Sequence, residues 1–301
     1  VAVLIDPPLW PAHGTRFSHL VSDTSLLELL RFADANDVPV RAFDHDHCDV
    51  PERRHADLVA AGAEPVAPSE LLRRLVASGL RVRTPARRPK REAVLGPLQA
   101  AWAELMPGAP GLGDELLRRW TEPHRHYHDV RHLAQMLAAL ERLTGGTVPR
   151  PVALAAWFHD AVHAGQVGAD EGLSAQLAET ELPAAGVGAG EAAEVARLVR
   201  LTIDHLPGTG DPDGELLVDA DLSILGDTPG RYHMYSRDVR LEYADIPDQM
   251  FAAGRLGVIH RLFSRDSLYR STIAQRLWSV QARRNLAEER DRWSNALGQE
   301  R

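Results

Sequence analysis

Apolar positions follow two different rhythms on either side of residue 84. Before it, short β-type runs alternate with stretches of helical period. VAVLI (1–5) is followed by a helix opening at Ser25, then VPVRAF (38–43), ADLVAAG (56–62), EPVAP (64–68) and SELLRRLVASG (69–79). Ser25 and Glu28 have the spacing of a capping-box pair, which marks the start of a helix. Strand and helix alternating in this order predict a small α/β domain with a short parallel sheet. After it, the strong segments are helical: LQAAWAEL, DELLRRW, VRHLAQMLAALERL, PVALAAWF, EAAEVARLVRLTIDHL, ELLVDADLSIL and a long amphipathic stretch ending QRLWSVQARRNLAEER.

The segment TPARRPKREA (84–93) lies between the two regions, with two prolines and a basic run but no apolar period. Such a stretch reads as a linker. The expected architecture is therefore mainly α: a small α/β domain over 1–84, a linker over 85–94 and an all-helical domain over 95–301. The glycine clusters GAPGLG (108–113) and GVGAG (186–190) lack the preceding strand that a dinucleotide-binding turn needs. Both are expected to be loops between helices.

Composition narrows the function classes. A net charge of −8 offers no general attraction to DNA, RNA or an anionic membrane, so none of these is an expected partner. The single cysteine, Cys48, excludes an intrachain disulfide and any multi-cysteine metal site. With no apolar run approaching the length of a membrane span and no leader-like opening, a soluble cytoplasmic protein is expected. The long last helix leaves a homodimer open.

Histidine is the residue type that changes the picture. Of 14, five fall between His13 and His55 and six between His124 and His163. Histidine is the commonest metal ligand and the usual acid or base near neutral pH, so each group is a candidate site. In the first group, Asp6 and the run Asp44-His45-Asp46-His47 fall at expected strand ends, where α/β sheets bind ligands. A metal or phosphate site and a polar loop of turn-forming aspartates both fit that run.

In the second region, ionisable residues interrupt apolar helices. His128 and His132 are four apart, a spacing that puts them on one helix face. His159 and Asp160 end the run LAAWFHDAVH, and Asp219 and Asp221 break ELLVDADLSIL. An ionised carboxylate in apolar surroundings costs several kcal/mol unless it is paired, and a metal ion is one such pairing. The alternatives are a helix ending at Phe158 with His159 and Asp160 solvated, and capping or hydrogen-bonded roles for the rest.

Taken together, His132, His159-Asp160 and Asp221 resemble the H…HD…D signature of the HD superfamily of metal-dependent phosphohydrolases. The resemblance covers roughly residues 95–290. It is closest to small bacterial proteins described as HD-type phosphohydrolases, through PHRHYH, RLEY (240–243) and AAGR (252–255). The N-terminal DPPLWPAHG and FSHLVSDTSL resemble a bacterial domain of unknown function, which implies no activity.

The HD resemblance implies His132, His159, Asp160 and Asp221 as ligands of a divalent transition metal, with Asp160 able to bridge to a second, weakly held ion. HYHDVRH also resembles the YHNxxH element of cyclic nucleotide phosphodiesterases, and by that likeness His128 is the general acid. ADLS (220–223) resembles the matching phosphodiesterase element and selects Asp221 over Asp219. Asp129 stands where those enzymes have Asn, so cyclic nucleotides are not implied as substrates.

Manganese, iron, cobalt, nickel and zinc suit two imidazoles and two carboxylates. The expected reaction is hydrolysis of a phosphoester of a small molecule, a nucleotide by analogy, with water activated by the metal. Glu171 is a further catalytic candidate, for orienting that water. Arg125, His126, Thr202, His205, Arg240, Tyr243 and Arg255 are candidates for substrate binding, Thr202 and His205 because they lie three apart on an expected helix. Two rivals stand beside this reading: an HD-fold di-iron oxygenase, and a nucleotide-binding sensor without turnover.

Overall fold

The computed structural model describes residues 2–166 and 168–298. The chain divides into two compact units, one running to Arg87 and also taking in Thr228–Met234, the other comprising Arg88–Asp227 and the chain from Tyr235. The boundary falls within the segment expected to be a linker.

The first unit contains β1 (Val3–Ile5), β2 (Trp10–Ala12), β3 (Thr15–Ser22), α1 (Leu26–Ala35), β4 (Phe43–Asp44), β5 (His47–Pro51), α2 (Glu52–Ala60), β6 (Glu64–Pro65) and α3 (Pro68–Ala77). Its sheet is mixed, in the order β4-β5-β3-β1-β6, with β2 paired on β3. The expected parallel pairing joins β1 to β6, while β3 runs antiparallel to β1, β2 and β5. Successive strand side chains face opposite sides of a sheet. Ile5 and Leu20 accordingly join Leu29 and Leu58 in one apolar layer, and Leu4 and Val21 join Leu71 and Leu75 in the other.

VPVRAF does not form the strand expected of it. Pro39 has no N–H to offer a ladder, the chain makes a 3-10 turn over Val40–Ala42, and only Phe43–Asp44 is extended. Conversely β3, the longest strand, was hidden because TRFSHLVS mixes polar and apolar residues on both faces.

The second unit is helical throughout its described residues: α4 (Arg91–Leu105), α5 (Pro110–Trp120), α6 (Val130–Thr144), α7 (Arg150–Phe158), α8 (Ala169–Ala184), α9 (Ala189–Arg200), α10 (Pro212–Asp221), α11 (Pro229–Glu242, whose opening residues belong to the first unit), α12 (Asp248–Phe263) and α13 (Thr272–Gly298). Caps fix the ends that matter below. Asp129 is the N-cap of α6, its carboxylate accepting from Arg131 N, and Gly145 at φ 72° closes the same helix. Only a residue that tolerates left-handed backbone suits that last position. No helix among the described residues is long and apolar enough to cross a membrane.

Tryptophans dominate the core that carries the site. Trp120 and Trp157 are almost wholly buried, and the Trp120 indole N–H donates to Trp157 O at 2.9 Å. Trp102 packs edge-on to Trp157 at 5.0 Å and donates to Ala109 O. Part of GAPGLG is helix rather than loop, and Gly113 in α5 lets the Trp102 ring approach. A Cβ there would lie 2.2 Å from Trp102 Cδ1. Overpacking of this kind typically costs about 1–3 kcal/mol. Gly113→Ala should therefore lower the urea midpoint in spite of alanine's better helix propensity, and a midpoint at or above wild type would show that the indole moves aside freely.

Candidate functional site

The site is built where helices end. α7 is apolar along its length and stops at Phe158, as one alternative anticipated, but His159 is not solvated: it is 1% exposed. Its Nδ1 lies 2.9 Å from Ala156 O. A carbonyl can only accept, so Nδ1 carries a hydrogen and Nε2 faces away from the helix. His132, in the first turn of α6, brings its Nε2 to 3.1 Å from that of His159. Asp221, the last residue of α10, places Oδ1 3.1 Å from His132 Nε2 and 3.8 Å from His159 Nε2. Asp160 Oδ2 lies 3.1 Å from His159 Nε2 and 3.8 Å from His132 Nε2.

Two imidazole nitrogens and two carboxylate oxygens thus converge from three helix ends in a nearly dry pocket. Ligand atoms about 2.1 Å from one ion and at right angles to each other lie about 3 Å apart, which is the spacing of the closest pairs here. The donor set and its spacing fit a divalent transition metal. In the protein's own charges the same need is visible: although burial opposes it, Asp160 and then Asp221 raise His159 to about 9. Asp221 is held well below the usual carboxylate range by His132 and His205 against the cost of its own burial. A cation belongs there, whether proton or metal.

His128 is placed differently from expectation. The helix begins only at Val130, so His128 does not share a helix face with His132; it sits in the turn before the Asp129 cap. Its ring still lies 5.8 Å from that of His132. Its partner is Glu242 at the end of α11. Nδ1–H of His128 donates to Glu242 Oε2 at 2.6 Å, while Oε1 accepts the backbone N–H groups of His126, Tyr127 and His128 at 2.8–2.9 Å. One carboxylate therefore shapes the turn and orients the ring. His163 Nε2 stands 3.7 Å from the same carboxylate, its ring 4.4 Å from that of His128.

Burial works against a charged His128, but Glu242 outweighs it and lifts His128 to about 9. Glu242 is pushed down by His128 and then by His163, against its own desolvation. For stability, the raised His128 contributes fully below its ordinary 6.5 and loses that contribution as pH rises through about 9. Glu242 contributes above its ordinary 4.5 and loses it as pH falls through its depressed value.

His205 also belongs to the site. Its Nε2 is 2.7 Å from Asp221 Oδ2, and its backbone sits at φ 56°, rare for a residue with a Cβ. It does not share a helix with Thr202, because α9 ends at Arg200 and a 3-10 turn follows. The Thr202 hydroxyl donates to Val199 O, within its own chain segment.

Several expected substrate-binding residues have structural employment instead. Arg125 is wholly buried; its guanidinium donates to the carbonyls of His128, Asp160 and Ala161 and to Glu122, with Trp120 beside it. Those bonds tie the His128 turn to the His159-Asp160 turn and leave the fork unavailable to a phosphate. The His126 carbonyl accepts from Arg88 and Arg131, and no contact to the centre involves its ring. Arg240 clamps the α11–α12 turn through Asp248, Tyr243 O and Ile246 O. Arg255 forms a buried ion pair with Glu289 between α12 and α13. Glu171 caps α8 by accepting from Gly168 N at 2.6 Å. Tyr243 stays close: burial, then the Glu242 charge, pushes its phenol up to about 12, so it keeps its proton at neutral pH. Asp219 accepts from Arg270 N and Ser271 N and takes no part in the centre.

Glu242 and His163 were not among the expected site residues. RLEY carried the signal for Glu242, between Arg240 and Tyr243; the spacing of four between His159 and His163 was no guide, because α7 ends at Phe158.

A family model described as a protein of unknown function, DUF4031, matches residues 3–78. No curated protein and no solved structure matches the chain.

Replacing Glu242 by Gln keeps an oxygen for the three backbone N–H groups but removes the charge. In metal-free protein, the His128 Cε1–H NMR titration should drop by roughly one to three units. An unmoved midpoint would mean that Glu242 does not hold the proton on His128.

Proposed function

We propose that the helical unit is a metal-dependent phosphohydrolase acting on a small phosphorylated molecule, a nucleotide by analogy with the HD superfamily. The observation that carries this reading is the convergence of His132 Nε2, His159 Nε2, Asp160 and Asp221 beside a His128 paired with Glu242. A manganese, iron, cobalt, nickel or zinc ion held by those four residues would supply an acidified water and polarise a phosphoryl oxygen.

The remaining work falls to the chain's own groups. His128 has Nδ1–H committed to Glu242, so its second proton is on Nε2, and 24% of the side chain is exposed. Donation from Nε2 to a departing alkoxide is general acid catalysis. Glu242 keeps the ring charged and fixes its plane. Arg125 holds the two loops that carry His128 and Asp160 in register. Tyr243, still protonated, can donate to a substrate oxygen.

A second reading has one observation in its favour. His205 on Asp221, with His128, His163 and Glu242 within reach of one another, offers further ligands of the kind a di-iron oxygenase needs.

The test is elemental analysis of protein purified without chelator, joined to phosphate release from a panel of nucleotides and sugar phosphates. About one transition metal per chain is expected, lost together with activity in Asp160→Ala. His128→Asn should retain the metal and lower kcat by roughly 10²–10⁴-fold. Iron with oxygen consumption and no phosphate release would move the assignment to the oxygenase, and no metal with no turnover would sink both.

A further inference from the structure

The sheet-bearing unit holds a second constellation of metal-ligand type, unrelated to the helical centre. It arises from strand register. His19 on β3 pairs directly with Asp49 on β5, and His47 is two residues before Asp49, on the same face of the same strand. The side chains of His19, Asp49 and His47 therefore line one side of the β3–β5 ladder. His19 Nε2 lies 3.8 Å and His47 Nε2 3.5 Å from the same Asp49 oxygen, and the three ligand atoms all fall within 4.8 Å of one another.

A buried carboxylate stands behind each imidazole. His19 Nδ1 is 2.9 Å from Asp6 Oδ2, and His47 Nδ1 is 2.7 Å from Asp46 Oδ1. Asp6 and Asp46 are each 1% exposed. Asp6 also accepts from His19 N and the Trp10 indole, and Asp46 from Val82 N and Arg81. These bonds fix both carboxylates, which in turn fix Nδ1 of both rings as donors and leave both Nε2 atoms facing Asp49. A carboxylate holding the far nitrogen of a ligating histidine is the usual outer shell of a metal site, where it sets the tautomer and raises the basicity of the ligand. A histidine placed for packing needs one partner, and two such pairs pointed at one further carboxylate exceed that need.

We propose that His19, His47 and Asp49 bind a divalent transition metal, zinc or a similar ion, through His19 Nε2, His47 Nε2 and one Asp49 oxygen. Tetrahedral ligands about 2.1 Å from an ion are about 3.4 Å apart, so the observed separations close with a small rotation of Asp49, which is 46% exposed. Three protein ligands leave a position open. Asp49 also lines a cleft of about 620 Å³ shared with Trp10, Phe17, Arg41, Asp44 and Arg53.

The experiment is metal stoichiometry of the full chain, stripped with chelator, reloaded with zinc and desalted. Asp49→Ala and His47→Ala should each carry one zinc fewer per chain than wild type, whatever the helical unit holds, and Asp221→Ala should retain the ion at this site. Asp6→Asn, which touches no ligand atom of the ion, should weaken zinc binding roughly 10–100-fold in competition with a chromophoric chelator. If His47→Ala fails to fold, the half-exposed Asp49→Ala still decides the matter. Zinc content unchanged in Asp49→Ala, or a wild-type chain whose zinc is all lost in Asp221→Ala, overturns the proposal.

Discussion

Asp160 and Asp221 are carboxylates only 15% and 13% exposed at the meeting of three helix ends, and the local structure around them is organised by the need to neutralise them. Two buried imidazoles face them at 3.1–3.8 Å, His205 approaches from a strained backbone, and Arg125 spends its guanidinium on the carbonyls of the same turns. An uncompensated charge here would cost several kcal/mol. A cation is thus part of the design of the helical unit, and the choice between protons and a metal ion decides whether the pocket is a structural network or a reactive centre.

Helix ends are where such a centre can be built. Backbone groups there lack intrahelical partners, so nearby side chains are drawn into capping and turn bonds. Asp129 caps α6, Glu171 caps α8 and Glu242 accepts three N–H groups from the turn before α6. These bonds fix the positions of His128 and His132 from outside the donor set. The same economy appears in the sheet unit, where Asp6 and Asp46 hold His19 and His47 while satisfying backbone N–H groups of their own.

Legibility differed by the kind of signal. Helices with a 3.6-residue apolar period, such as α5 and α6, were readable because their cores depend on residues three and four apart. The His159-Asp160 pair stood out as charge at the end of an apolar run, whereas Asp221 was separated from Asp219 by resemblance alone. His128 was expected on a helix face, but the Asp129 side chain outbid the helix pattern by capping one residue later. Arg125 and Arg240 looked like phosphate ligands because arginine suits phosphate, yet in each case backbone carbonyls nearby in space take the donors. A spare guanidinium and a fully used one are identical in one dimension.

What the sequence by itself determined is local: the two-part organisation, the helical character of the longer part, the small α/β unit ahead of it, and the residue types from which a metal centre can be made. Tertiary structure decided everything that depends on register and convergence. Asp49 meets His19 only because β3 and β5 pair as they do, and Glu242 meets His128 from 114 positions further along the chain. The physical reason is that periodicity reports which face of an element is buried, whereas the partner waiting on that face is chosen by packing among elements distant in the chain.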